Sequence, residues 1–223
     1  MDLSFKLSDL VDFSNPNMKP VITMLIITAV LTVLSMLATR KLKDVPGPLQ
    51  NVAESAIEAL QNFFGGVMGI SNMRRYFGLF ATLFIFIVVS NYAGLLPGAG
   101  EGFSVPTACL SVTAALAVIS FFTTHTVGIQ RQGVGGYAKS FLKPFIAMLP
   151  LTLLDQFVRP FSLALRLYGN IYAEEMVTEE LRTMFPVLLP LVMQVLSLLF
   201  CLIQAMVFTM LTAVFVTEAT GEE

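Results

Sequence analysis

The stretch TMFPVLLPLVMQVLSLLFCLIQAMVFTMLTAVFVT, Thr183–Thr217, contains 35 residues in succession without Asp, Glu, Lys or Arg. A membrane-spanning helix needs only about 20 predominantly apolar residues, so this stretch is long enough to cross at a steep tilt or with a bend. Over all 223 residues, 56% are hydrophobic and 13% are charged, about half the charged fraction of a typical soluble domain. This composition excludes a soluble domain and a disordered chain, and the net charge of −2 gives no reason to expect a nucleic-acid partner.

Other charge-free runs extend this pattern along the chain. They predict spans near residues 20–39, 76–97 and 104–127, besides the span at 183–217. Residues 144–177 form a fifth apolar segment, which is interrupted by charges. The sequence therefore predicts an all-α, polytopic membrane protein with about five transmembrane helices. A single membrane domain, 20–223, follows an external N-terminal segment, 1–19.

The segment 48–68 differs from the spans because its apolar residues recur at helical spacing, with Glu54 and Glu58 on the opposite side. This pattern predicts an amphipathic helix at the membrane surface. A short re-entrant or cytosolic helix is the alternative.

Basic residues predict the orientation. Arg40–Lys43, Arg74–Arg75 and Arg131–Lys143 are the basic clusters, and such clusters favour the cytoplasmic side of a cell (plasma) membrane. The N-terminus, the loop Pro97–Gly102 and an acidic turn at Thr178–Arg182 are then outside, and the C-terminus is cytoplasmic.

One polar stripe runs along the 144–177 segment at spacings of four, three, four and four residues. It consists of Asp155, Arg159, Ser162, Arg166 and Asn170. Arg166 stays charged at ordinary pH, and a charge at bilayer depth is a functional hypothesis by default. Asp155 and Glu174 lie about three and two helical turns from Arg166, too far for a direct bond along one helix. Arg166 is therefore predicted to face a partner from elsewhere.

The last long segment carries a second polar stripe, made of Gln194, Ser197, Cys201, Gln204 and Phe208. Gln204 is interpreted as a hydrogen-bond partner of the Arg166 guanidinium or as a residue that lines a hydrated path. Gln194 is equally well explained as a polar residue that joins packed helices. Glu175 lies on nearly the opposite face from Arg166. We expect it in an aqueous vestibule between its own helix and the Gln194–Ser197 face.

Metal, disulfide and cofactor chemistry is not predicted. Cys109 and Cys201 both fall inside apolar runs, and His125 has no histidine or cysteine near it in the sequence. A structural zinc site needs four such ligands together.

The sequence resembles the signature of subunit a of F-type ATP synthases. The strongest motifs are LALRLYGNIYAEE (Leu163–Glu175) and IQAMVFTMLT (Ile203–Thr212). Further likeness lies in NYAGLLPG (Asn91–Gly98), VPTACLSVT (Val105–Thr113) and GIQRQGVGGY (Gly128–Tyr137). The resemblance covers the chain from about residue 47 to 215.

This resemblance implies a non-catalytic subunit with two offset half-channels, which pass H⁺ or Na⁺ to and from a rotating ring of c subunits. It also implies b subunits of a peripheral stalk as partners, and a strongly tilted hairpin of the last two long helices. Arg166 matches the arginine that faces the ring carboxylates, and Asn170, Glu175 and Gln204 match positions on the ion path. Ser197 and Gln194 are weaker candidates. Asp155, Arg159 and Ser162 either border the cytoplasmic exit or form local hydrogen bonds.

The chain departs from the family pattern at two positions. Ser197 stands where some members carry histidine, and Glu174 stands where a small residue is common. The alternative function is an independent secondary transporter or channel whose Arg166 binds an anionic substrate. Co-purification with a small, very hydrophobic subunit that carries one mid-membrane carboxylate would discriminate between the two.

Overall fold

The computed structural model describes residues 19–39, 47–95, 105–140, 149–184 and 188–220, and within these ranges the regular structure is helical. The helices are α1 (Lys19–Thr39), α2 (Pro48–Tyr92), α3 (Leu110–Ser140), α4 (Leu149–Met184) and α5 (Leu188–Thr220), with short 3₁₀ turns at Ala93–Leu95 and Pro106–Ala108. Apolar surroundings favour helices because every backbone polar group is then satisfied within its own segment. The all-α prediction is confirmed.

Among the described residues, four helical segments are long and apolar enough to cross a membrane. They are Lys19–Leu37, Arg74–Leu95, Leu110–Tyr137 and Leu188–Thr220, which correspond to four of the five predicted spans. The fifth long helix, α4, carries the charged residues of the polar stripe, and its crossing remains a prediction. The orientation also remains a prediction, and residues 1–18 and 96–104 lie outside the described residues.

Helix α2 contains the predicted amphipathic segment and the following span, divided at Gly69. Gly69 has φ +73° and ψ 155°, a conformation that glycine adopts readily because it has no Cβ. Before this corner, Phe64 and Met68 are buried against the bundle, whereas Glu54 and Glu58 are exposed. The segment 48–68 is therefore helical as predicted, and its position at a membrane surface stays a prediction.

Helix α3 has a second corner at Gly133, with φ +71°. Beyond it the chain turns back, so the Tyr137 ring packs over Gly128, where a Cβ would lie 2.5 Å from a ring carbon. The corner explains why α3 reaches Ser140, beyond the predicted end at 127.

The prediction of an acidic turn at Thr178–Arg182 was wrong. These residues are helical, and α4 continues to Met184. Glu179, Glu180 and Leu181 favour helix over turn because their straight side chains lose little freedom there.

The core lies where α5 packs against α2, α3 and α4. Its largest cluster consists of Leu83, Ile87, Leu116, Leu163, Leu167, Ala205 and Phe208. The Ser120 hydroxyl of α3 also donates to the Thr212 hydroxyl of α5 at 2.9 Å, the kind of polar contact that joins helices in membranes. The core thus fixes α4 and α5 side by side.

Candidate functional site

Helix α4 buries one apolar face and leaves Arg166 at its flank. Leu163, Leu167 and Ile171 point into the bundle with 4% exposure or less. Arg166 lies about 100° around the helix from Leu167 and is exposed on the surface of the chain. Among the described residues, its guanidinium has no hydrogen bond or ion pair. The expectation that Arg166 lacks a partner on its own helix therefore agrees with the geometry.

Asn170 and Gln204 join the two helices one turn from Arg166. The Asn170 amide donates to the Gln204 carbonyl oxygen at 2.6 Å. Gln204 is 4% exposed, and its own amide nitrogen has no partner among the described residues. A buried donor without a partner is costly unless water reaches it, so this nitrogen marks a point where water or another polar group is needed. Gln204 therefore forms its hydrogen bond with Asn170 and not with the Arg166 guanidinium.

Glu174 occupies the place expected for Glu175. Its carboxylate accepts from the Cys201 thiol at 3.9 Å, and the Ser197 hydroxyl lies close to the same carboxylate. Glu175 is the next residue around the helix, on the far side of the buried face from Arg166, and its side chain is exposed. Of the two acids, Glu174 is therefore the one that faces Cys201 and Ser197 of α5.

Helix α2 also contributes polar groups here, and this was not predicted from the sequence. The Asn91 amide donates to the Cys201 backbone carbonyl at 3.3 Å, and the Tyr92 hydroxyl donates to the Leu198 carbonyl at 3.1 Å. Asn91 is 2% exposed, and its side-chain oxygen has no partner in the part of the chain that the structure describes. We call Asn91, Glu174, Ser197 and Cys201 the polar cluster. Asn91 is the first residue of the motif NYAGLLPG, and this motif is the sequence signal that could have identified it.

Within the described ranges, other buried oxygen atoms also lack partners, next to Asn91 in the chain and in the 3₁₀ turn that precedes α3. They are the hydroxyl oxygens of Ser90 and Thr107, and both residues are 2% exposed or less. Native proteins satisfy most such groups with protein or ordered water. Water is a suitable partner for both hydroxyls.

The remaining predicted residues separate into two groups. Asp155, Ser162 and Gln194 are exposed on the surface of the chain. Arg159 instead pairs with Glu218 near the end of α5, and its guanidinium carbon lies 4.8 Å from the centroid of the Phe215 ring. The polar stripe of α4 is thus one helical face whose members have different surroundings.

Across the described ranges, no three His, Cys, Asp or Glu side chains lie close enough together to hold a metal ion. The chemistry available to this site is that of a fixed cation, carboxylates, amides and hydroxyls. Such groups can attract ions and hydrogen-bond water.

Comparison with known proteins adds independent information. A family model described as ATP synthase A chain matches residues 21–217. The protein named ATP synthase subunit a 3 from Pelobacter propionicus is 42% identical over 201 residues, which are 88% of this chain and 85% of that protein. ATP synthase subunit a from Trichlorobacter lovleyi is 38% identical over 224 residues, or 99% and 95% of the two chains. ATP synthase subunit a from Moorella thermoacetica is 40% identical over 182 residues, or 82% and 81%. The matched range includes the polar stripe and the polar cluster.

Proposed function

The chain belongs to the ATP synthase A chain family, and from this premise we propose how its residues move ions. It has the role of subunit a in an F-type ATP synthase, which makes it a multi-pass membrane subunit of that complex, and an independent transporter is not favoured. In our proposal it catalyses no step on ATP. It provides two offset half-channels through which H⁺ or Na⁺ reaches and leaves the carboxylates of a rotating c-subunit ring, while b subunits hold it as the stator.

The observation that carries the proposal is the guanidinium of Arg166, which is exposed and has no partner among the residues that the structure describes. Arginine at the centre of a bilayer helix costs about 3 kcal/mol even on the mildest scales, so a neighbour must compensate its charge. A ring carboxylate that has lost its ion is such a neighbour. Arg166 favours the ionised form of each arriving carboxylate and opposes direct passage of cations between the half-channels.

The external half-channel is proposed to run along the polar cluster. Glu174, Ser197 and Asn91 supply hydrogen-bonding groups between three helices, and the partnerless buried atoms near them require water. Asn170 and Gln204 continue this path toward Arg166, and Glu175 adds negative charge at its exposed edge. Gln194 is a candidate at the same end of α5.

The cytoplasmic half-channel is proposed to follow the exposed part of the polar stripe. Ser162 lies one turn from Arg166, and Asp155 lies about two turns further. Both are exposed, so both are able to contact water between this chain and the ring. Arg159 borders the same route.

Site-directed cross-linking tests whether the Arg166 face contacts the ring. A cysteine at Ser162 should form a disulfide with a cysteine beside the mid-membrane carboxylate of the copurifying small hydrophobic subunit. A matched cysteine at Phe161, which is exposed but about 100° around α4, should not. The background carries serine at the native Cys109 and Cys201 and must still pump. Absence of the small subunit, or equal cross-linking from both positions, would contradict the proposal.

Labelling with an impermeant maleimide tests the proposed orientation. Single cysteines within Ala99–Gly102 should react from outside, and those within Gly133–Gly136 or at Asp44 should react only from the cytoplasmic side. Gly133–Gly136 is exposed at the end of α3, whereas Asp44 and Ala99–Gly102 lie outside the described residues. The reverse pattern would exchange the two half-channels.

A further inference from the structure

The two arginines of the polar stripe have different surroundings. They lie seven residues apart on one face of α4, a rise of about 10 Å. Arg166 is unpaired among the described residues, whereas Arg159 forms an ion pair with Glu218 of α5. The Arg159 guanidinium also lies over the Phe215 ring, 4.8 Å from its centroid. Glu218 and Phe215 thus draw this guanidinium toward α5.

The end of α5 is held in place from a second side. Gln132 of α3 donates from its side-chain amide to the Ala219 carbonyl at 2.9 Å. Arg159 itself lines a cleft between α3, α4 and α5, together with Ser120, Thr124 and Gln156. The Glu218 carboxylate is therefore presented to Arg159 by a helix end that α3 fixes.

We propose that Glu218 is a positioning residue that neutralises Arg159 and holds it against α5, so that Arg166 alone acts on the ring as a free cation. The inference rests on the role proposed above for Arg166. If Arg159 were unpaired, it would attract the same ionised ring carboxylate. It would also repel the cation that leaves on the cytoplasmic side, because both charges lie on one helix face.

We expect the ion pair between Arg159 and Glu218 to affect the rate of ion transfer more than the stability of the protein. The side chains of Arg159 and Glu218 are 33% and 52% exposed, and ion pairs with this much exposure contribute little to stability. Removal of the Glu218 charge therefore liberates a cation without removing core packing.

Charge-neutralising variants test the proposal. In inverted vesicles at equal complex abundance, Glu218→Gln should lower ATP-driven pumping about fivefold. Adding Arg159→Gln to Glu218→Gln should restore most of the loss, because the liberated cation is then absent. Arg159→Gln alone should cost less than Glu218→Gln. Glu58→Gln, a change at an exposed acid of α2, is the matched control and should leave pumping unchanged.

The recovery in the double variant distinguishes positioning from a structural role. Normal pumping by Glu218→Gln would overturn the proposal, and so would equal loss in the single and the double variant. Failure of both variants to accumulate in the complex would also overturn it, whereas accumulation of the double alone would support it. Because Arg166 is intact throughout, a negative result leaves the proposed function standing unless Arg166→Ala also pumps normally.

Discussion

Arg166→Ala and Arg166→Gln are expected to reduce ATP-driven pumping and coupled ATP synthesis to background in membrane vesicles. The guanidinium is exposed and unpaired within the described part of the chain, so its loss should leave the helix packing and the assembled complex largely intact. Arg166→Lys should also fail, because lysine is a flexible point charge that loses its proton when desolvated. Acidification of inverted vesicles on addition of ATP measures the effect.

Arg182→Gln provides the control for this experiment. Arg182 is also exposed on α4, but it lies in the last turn of the helix, and its replacement should leave pumping near the parent level. Complex abundance is measured by immunoblotting for every variant. If vesicles with Arg166→Ala pump normally at parental abundance, Arg166 does not separate the half-channels.

Glu174→Gln and Glu175→Gln should both slow ion flux, and the double variant should be clearly worse than either single one. Glu174 faces Cys201 and Ser197 across the interface between α4 and α5, whereas Glu175 is exposed beside it. We therefore expect Glu174→Gln to have the larger single effect. Each carboxylate concentrates cations at the same opening, so one partly replaces the other.

Passive proton conductance and ATP-driven pumping, measured in the same vesicles, test this ranking. Glu180→Gln is the matched control because Glu180 is exposed further along α4. If Glu174→Gln, Glu175→Gln and the double variant all match the parent, these acids are ordinary helix-end charges and the external half-channel lies elsewhere.

Much of the fold was predictable because charges are excluded from apolar spans. The gaps between charges located α1 almost to the residue, at 20–39 against Lys19–Thr39. Helix boundaries were less predictable where no charge or proline marks them. The corners at Gly69 and Gly133 depend on positive φ angles, which glycine permits but does not require.

For the candidate site, the helical period placed Arg166 on a polar stripe but did not predict that its side chain is exposed on the surface of the chain. The contact of Glu174 with α5 was not predicted, because Glu174 was considered only as a departure from the family pattern. It continues the series Leu163, Leu167, Ile171 with a step of three, and therefore points toward the bundle. Asn91 and Glu218 could not be placed by periodicity, because their contacts join α2 and α4 to different parts of α5.

The exposure of Arg166 also has a pharmacological consequence. Small molecules bind in concave sites that enclose most of their surface, but Arg166 projects from the flank of a helix, outside the bundle. If Arg166 faces the c-subunit ring, as proposed, a compound that blocks this arginine would have to be enclosed partly by a c subunit. The affinity of such a compound would then depend on the sequences of both subunits. A sequence difference between species in either subunit would make the compound selective.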